Sequence, residues 1–130
     1  MLISVLLYLL FALWGGAPAA DTTFTGYWWG HDRGLKIQHD GRGFEGVDDS
    51  CCHRVITLNF RILAVHGTHA KAVARIRVTS ARVDKEWIAE AHRPPPRAGQ
   101  IGTLVLEDGV VTDELTGATF CAATVDKCGA

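Results

Sequence analysis

The longest regular pattern in the chain is an alternation of apolar and polar residues from Arg54 to Val83. A period of two predicts half-buried strands, because successive side chains of a strand point to opposite faces. The interruption at His66-Gly67-Thr68-His69 predicts a short turn, so the stretch reads as a long antiparallel hairpin. The predicted inner face comprises Ile56, Leu58, Phe60, Ile62, Ala72, Ala74, Ile76 and Val78. The predicted outer face comprises Val55, Thr57, Asn59, Arg61, Arg75, Arg77 and Thr79.

The rest of the chain reads as shorter strands separated by tight turns. Asp40-Gly41 and Asp108-Gly109 are typical of hairpin turns. Asp84–Glu90 fits one or two helical turns or an irregular arm, and Pro94–Pro96 predicts a rigid, solvated extended segment. About seven strands with little helix predict an all-β, antiparallel fold, either a small closed barrel or a two-sheet sandwich.

The amino-terminal segment differs in composition from the rest. Leu2–Trp14 is apolar and uncharged, and small residues follow at Gly15–Ala20. The run is shorter than the ~20 residues that a membrane-spanning helix needs, so we expect a secretory signal peptide at 1–20 and one domain at 21–130. An uncleaved anchor is the alternative. The predicted location is outside the cell or in the cell envelope, with no transmembrane anchor after cleavage.

Four cysteines follow this segment: Cys51, Cys52, Cys121 and Cys128. An even number in a small exported domain predicts two disulfides, for which three connectivities exist. An adjacent Cys51–Cys52 ring would be strained, so we favour two bridges from this pair to the carboxyl-terminal tail. A zinc site is disfavoured because the spacing typical of zinc-binding cysteines is absent.

The chain resembles a family of small secreted actinobacterial proteins of the mycobacterial type, whose function is unknown. The matching segments are Trp29-Gly30-His31, Leu35 to Gly43, Pro94–Pro96, Gly102-Thr103-Leu104 to Asp108-Gly109, Thr119-Phe120-Cys121 and Cys128-Gly129-Ala130. The resemblance implies export and a disulfide-tied β domain, and it transfers no catalytic residue. The Gly26-x-Trp28 start before an Asp-Gly hairpin is also loosely similar to the first strands of calycin barrels.

A basic stripe is the first candidate site. The segment from Cys51 to Val83 contains no acidic residue, and Arg61, Arg75 and Arg77 fall on the polar faces of the hairpin. Pairing with Glu107, Asp113 or Glu114 on neighbouring strands is one interpretation. The other is a surface for an anionic glycan, a lipid headgroup or an acidic protein, because guanidinium groups suit phosphates and carboxylates. The formal net charge of −1 argues against a nucleic-acid partner.

Aromatic residues form the second candidate site. Trp28, Trp29, Trp87 and Tyr27 could stack on a sugar or an apolar ligand at a barrel mouth, or they could simply fill the core. Of two adjacent tryptophans in a strand, only one is expected to face the core.

The sequence gives no firm catalytic constellation, and no cofactor is expected. No nucleophile motif is present, and His66 and His69 read as solvated turn residues, because no third metal ligand is placed near them. His31-Asp32-Arg33 reads as a polar turn. A glycosidase would need two converging carboxylates, and Asp32, Glu45, Glu107 and Asp113 cannot be placed from sequence. We therefore predict a secreted, non-enzymatic binding module, with a small hydrolase acting on envelope polymers as the alternative.

Overall fold

A computed structural model describes residues 22–50 and 52–128. These residues form eight strands and one helix. The strands are β1 (Gly26–Gly30), β2 (Arg33–Ile37), β3 (Arg42–Asp49), β4 (His53–Gly67), β5 (Lys71–Val83), β6 (Ile101–Glu107), β7 (Val110–Asp113) and β8 (Thr119–Cys121), and the helix α1 (Lys85–Ala91) lies between β5 and β6.

Each strand pairs antiparallel with the next, and β1 also pairs with β8, so the sheet closes into an eight-stranded barrel. The all-β prediction is confirmed, and the barrel replaces the sandwich alternative. The strand missing from the prediction is β8, which has three residues and is too short to show an alternating pattern. Its closing contact pairs Trp29 with Cys121.

The predicted hairpin is present as β4 and β5, of 15 and 13 residues. All eight predicted inner residues are buried. The turn lies later than predicted, because β4 continues to Gly67 and β5 begins at Lys71. Register shifts after Asn59 and Ile62 are irregularities that bend and twist such a pair.

Val55 is a correction, because it is 6% exposed although the alternation assigns it to the outer face. It belongs to an apolar cluster against which Trp87 of α1 packs, so residues beyond the hairpin contribute to its burial. The alternation pattern of a single strand does not reveal burial by a residue from another element.

Two apolar clusters fill the interior. The larger comprises Phe24, Trp28, Leu35, Ile37, Phe60, Ile62, Ala72, Ala74, Ile76, Leu104, Leu106, Val111 and Phe120. The smaller comprises Val55, Ile56, Leu58 and Val78. Leu115 packs against both.

The tryptophans of β1 divide as predicted. Trp28 is buried, and its indole Nε1 donates a hydrogen bond of 2.9 Å to the carbonyl oxygen of Phe24, whereas Trp29 is half-buried. In the proline stretch Pro96 is buried rather than solvated, which corrects the expectation for that residue.

The favoured disulfide pattern is wrong. Cys121 is bonded to Cys128, seven residues later, so neither tail cysteine is available to the Cys51-Cys52 pair. This bridge closes a local loop at the end of β8, an arrangement that spacing alone did not distinguish. Cys51 lies outside the described residues, as does the predicted signal peptide. Among the described residues, no helix is both long enough and apolar enough to span a membrane.

Candidate functional site: a cationic outer face

Three arginines lie side by side on the outer surface of the barrel. In the strand register Arg42 of β3 is opposite Arg61 of β4, which is opposite Arg77 of β5. All three are exposed, and we call them the arginine row. Directly opposed like charges destabilise a sheet, so strand pairing alone does not favour this arrangement. Arg75, two residues before Arg77 on β5, extends the same basic surface.

The arginines do not have the acidic partners considered from the sequence. Glu107 is opposite Lys71, and Asp113 is buried inside the barrel. Across residues 22–50 and 52–128, no ion pair joins Arg61, Arg75 or Arg77 to a carboxylate.

Arg42 is the member of the row with a local partner. Its Nε lies 2.7 Å from Oδ2 of Asp40, and both side chains are substantially exposed. The pKa of Asp40 is lowered, chiefly by the hydrogen bond from the backbone N–H of Arg42, and the charges of Arg42 and Arg61 act in the same direction. The positive charges of the row thus act on the neighbouring carboxyl group of Asp40.

A second row, with aromatic character, runs beside the first. Tyr27 of β1 is opposite Lys36 of β2, which is opposite Phe44 of β3. We call these three the aromatic row. Tyr27 is 65% exposed and Phe44 38%, so both rings present apolar surface to solvent. The guanidinium of Arg54 lies 5.9 Å from the centre of the Phe44 ring, a cation–π distance.

The two rows meet on β3, where Arg42 and Phe44 are two residues apart and point to the same side. On β4 and β5 the aromatic row continues into polar side chains, and the amide of Asn59 donates a 2.9 Å hydrogen bond to the hydroxyl of Ser80. We call the combined surface the cationic face.

Two depressions on this face adjoin Phe44. One, of about 240 Å³, has Tyr27 and Arg54 among its lining residues. The other, of about 150 Å³, has Arg42 and Asn59 among its lining residues. Lys36 and Phe44 line both, so the depressions are contiguous around an aromatic ring and a cation.

The structure separates the residues that the sequence grouped as candidates. Arg61, Arg75 and Arg77 do share one surface. Trp28 is part of the core, and Trp87 packs against the smaller apolar cluster from α1, so neither joins the cationic face. Sequence reasoning missed Lys36, Arg42 and Phe44. The signal for one pair was present, because a hairpin that turns at Asp40-Gly41 has a register that places Lys36 opposite Phe44.

The barrel interior contains a second unusual group, two buried carboxyl groups. Glu45 of β3 is 0% exposed and Asp113 at the end of β7 is 1% exposed. The hydroxyl of Thr116 lies 3.0 Å from Oε2 of Glu45 and 3.2 Å from Oδ2 of Asp113. In the register Glu45 is opposite Leu35 and Leu58, which belong to different apolar clusters, so this acid pair lies where the two clusters meet.

The surroundings of Glu45 favour its neutral acid form over the carboxylate. The backbone N–H of Leu115 donates to Oδ1 of Asp113 at 2.8 Å, whereas the buried Oε1 of Glu45 has no partner. A hydroxyl has a single proton, so Thr116 cannot satisfy both carboxylates. Burial raises the pKa of Glu45 well above its ordinary value, and the neighbouring Asp113 carboxyl raises it further.

A pocket of about 390 Å³ is lined by Thr116, with Arg33 and Trp87 also among its lining residues. The guanidinium of Arg33 is already hydrogen-bonded within the protein. It donates to the carbonyl oxygens of His31 at 2.9 Å and Cys128 at 3.0 Å, and also to the carbonyl oxygen of Thr119. Its role here is to join β2 to β8 and to the disulfide loop.

No family model, curated protein or solved structure matches the chain. The fold and site define its class, a small closed meander barrel whose outer surface is cationic and aromatic. Membership of the actinobacterial family stays a prediction.

Proposed function

We propose that the protein is a non-enzymatic binding module for an anionic polysaccharide and that it acts outside the cell or in the cell envelope. The observation that carries the proposal is the arginine row without carboxylate partners for Arg61 and Arg77. Guanidinium groups form paired hydrogen bonds with carboxylate and phosphate or sulfate groups, so an exposed row of them suits a polyanion.

The aromatic row favours a glycan over the other anionic partners. Exposed rings such as Tyr27 and Phe44 provide flat apolar surfaces on which sugar rings stack, and Asn59 and Ser80 provide amide and hydroxyl groups for sugar hydroxyls. The arginine row crosses three strands and so spans about 10 Å, two strand spacings. An extended polymer can follow such a row, whereas a single lipid headgroup would use only part of it.

Two features support a location outside the cytoplasm. The Cys121–Cys128 disulfide is a bond that oxidising compartments maintain. The predicted signal peptide at 1–20 supports the same proposal.

The test measures retention of the purified protein on immobilised heparin as a model polyanion. We expect retention that weakens with salt, because exposed charges are screened. Arg61→Glu and Arg77→Glu should each weaken binding about tenfold, equivalent to ~1.4 kcal/mol. Lys127→Glu is the matched control, since it makes the same charge change on an exposed residue of the disulfide loop and should leave binding unchanged. If all three variants lose heparin binding equally, the binding depends only on net charge and the proposal is contradicted.

A parallel arm uses vesicles containing phosphatidylinositol. Stronger dependence on Arg61 with vesicles than with heparin would assign the face to a lipid headgroup instead. Phe44→Ala distinguishes a glycan from a lipid headgroup. It should weaken retention on heparin and leave vesicle binding unchanged, because ring stacking contributes to sugar binding and not to headgroup attraction.

One observation favours the alternative of a small hydrolase acting on envelope polymers, namely the pairing of Glu45 and Asp113. Paired carboxyl groups with different protonation serve as acid and base in glycosidases. Both are shielded from solvent, and Thr116, which contacts both, also lines the nearby pocket. Release of soluble fragments from cell-wall polymer by the native protein, abolished by Glu45→Gln, would support this alternative over the binding module.

A further inference from the structure

We infer that His53, Asp84 and Glu86 form a binding site for a divalent metal ion of the zinc class. One ligand atom from each side chain lies within 4.8 Å of the other two. This is the one such group of three among the described residues, and we call it the His53 cluster. None of its three side chains belongs to the cationic face, and metal binding there does not depend on the proposed function.

The cluster joins two elements of the fold. His53 is the first residue of β4, whereas Asp84 caps the amino end of α1 and Glu86 lies in its first turn. The backbone N–H of Asp84 donates a 2.8 Å hydrogen bond to the carbonyl oxygen of Val55, which anchors the cap to β4. A metal ion here would link the barrel to its helix.

The carboxylate of Asp84 is oriented for this role. Its Oδ1 accepts a 2.8 Å hydrogen bond from the backbone N–H of Lys85, so Oδ2 points at Nε2 of His53, with which it is in direct contact. Backbone hydrogen bonds that fix one oxygen of a ligating carboxylate are a typical outer-shell feature of metal sites. Metal–ligand bonds of about 2.0–2.2 Å require donor atoms within ~4.4 Å of each other, which small rotations of exposed side chains supply.

The donor set determines the class of ion. One imidazole and two carboxylates suit zinc and its neighbours in the transition series, whereas calcium and magnesium prefer oxygen donors alone. Asp49 is opposite His53 in the strand register and adds a third negative charge nearby. Solvent reaches the cluster, since His53 and Glu86 are exposed, so water can complete the coordination.

The pairing of His66 and His69 considered from the sequence is not this site. His66 is the next-to-last residue of β4 and His69 lies in the hairpin turn, and neither belongs to a group of three possible ligands in the part of the chain described here.

Metal binding would stabilise the docking of α1 on the barrel. The helix has no fully buried residue, and Trp87 is its contact with the smaller apolar cluster. An ion shared by β4 and α1 stabilises this docked arrangement relative to one in which the helix separates from the barrel.

The test titrates the untagged protein with zinc chloride alone, using calorimetry at neutral pH. We expect one ion per chain and a higher melting temperature with zinc. His53→Ala and Glu86→Gln should each weaken binding at least about tenfold. Asp84→Asn retains a capping residue while removing the ligand charge, so it should weaken binding without loss of the helix.

His31→Ala is the matched control. His31 also forms an ion pair with an aspartate, at 3.2 Å from Asp32, but it belongs to no group of three ligands. Its replacement should leave zinc binding within about twofold of the native value. Absence of zinc binding, or an equal loss in His31→Ala and His53→Ala, would overturn the inference, and circular dichroism of each variant excludes unfolding as the cause.

Discussion

Replacing Glu45 by Gln should change how the stability of the barrel depends on pH. Glu45 has no access to solvent, and its Oε1 has no hydrogen-bond partner, so its neutral acid form is the one that the interior accommodates. Gln has nearly the same shape and is neutral at every pH. The substitution therefore removes a titrating group while leaving the packing between the two apolar clusters nearly intact.

The sign follows from the raised pKa of Glu45, caused by burial and by the Asp113 carboxyl. Above the ordinary value of 4.5, the unfolded chain releases this proton while the folded barrel retains it. The stability contributed by the retained proton is complete below that pH and is lost as pH rises towards the folded pKa. With one proton involved, the free energy of unfolding falls by up to about 1.4 kcal/mol per pH unit across this window.

The assay is urea unfolding followed by tryptophan fluorescence, at pH values from 5 to 8. The native protein should lose stability relative to Glu45→Gln as pH rises, and the difference between the two isolates Glu45 from other titrating groups. Glu107→Gln is the matched control, because Glu107 is exposed on β6 and should keep the native pH dependence. Parallel curves for the native protein and Glu45→Gln would refute the assignment of a retained proton.

Two further predictions concern the closure of the barrel. Arg33→Ala removes hydrogen bonds to the carbonyl groups of His31, Thr119 and Cys128, so it should lower the free energy of unfolding by about 2–4 kcal/mol in urea denaturation. Arg33→Lys should recover only part of this loss, and full recovery would show that the charge, rather than the forked geometry, matters. The double substitution Cys121→Ser/Cys128→Ser opens a short loop, so it should cost about 2.5 kcal/mol. A much larger loss, or a peptide map of the native protein linking Cys121 to Cys52, would contradict the local bridge.

The hairpin could be predicted because its faces are determined by local alternation. Most inner residues from Ile56 to Val78 alternate with polar residues, and a slip of one residue would expose the whole set. Val55 departs from the pattern because its burial also involves Trp87, which is distant in sequence. Strand β8 was missed for a different reason, since its three residues are held by partners on β1 and β7 rather than by a pattern of their own.

The candidate site depends on register between strands, which the sequence only partly reveals. Arg61 and Arg77 were assigned to one face from their own hairpin. Their alignment with Arg42 requires the β3–β4 pairing, which contains a register shift between Val47 and Asp48. The pairing of Glu45 with Asp113 was even harder to predict from sequence, because the two residues belong to strands that are not neighbours in the sheet.

Strand β3 explains how a chain of nearly balanced charge presents a basic surface. Alternation along it sends Arg42 and Phe44 outward and Glu45 inward. The formal net charge of −1 counts Glu45 and Asp113 as fully ionised carboxylates. Both are buried, and the raised pKa of Glu45 favours its neutral acid form, in which it carries no charge to offset the arginine row. The formal net charge therefore understates the positive charge on this side of the barrel, which the register of the three arginines shows directly.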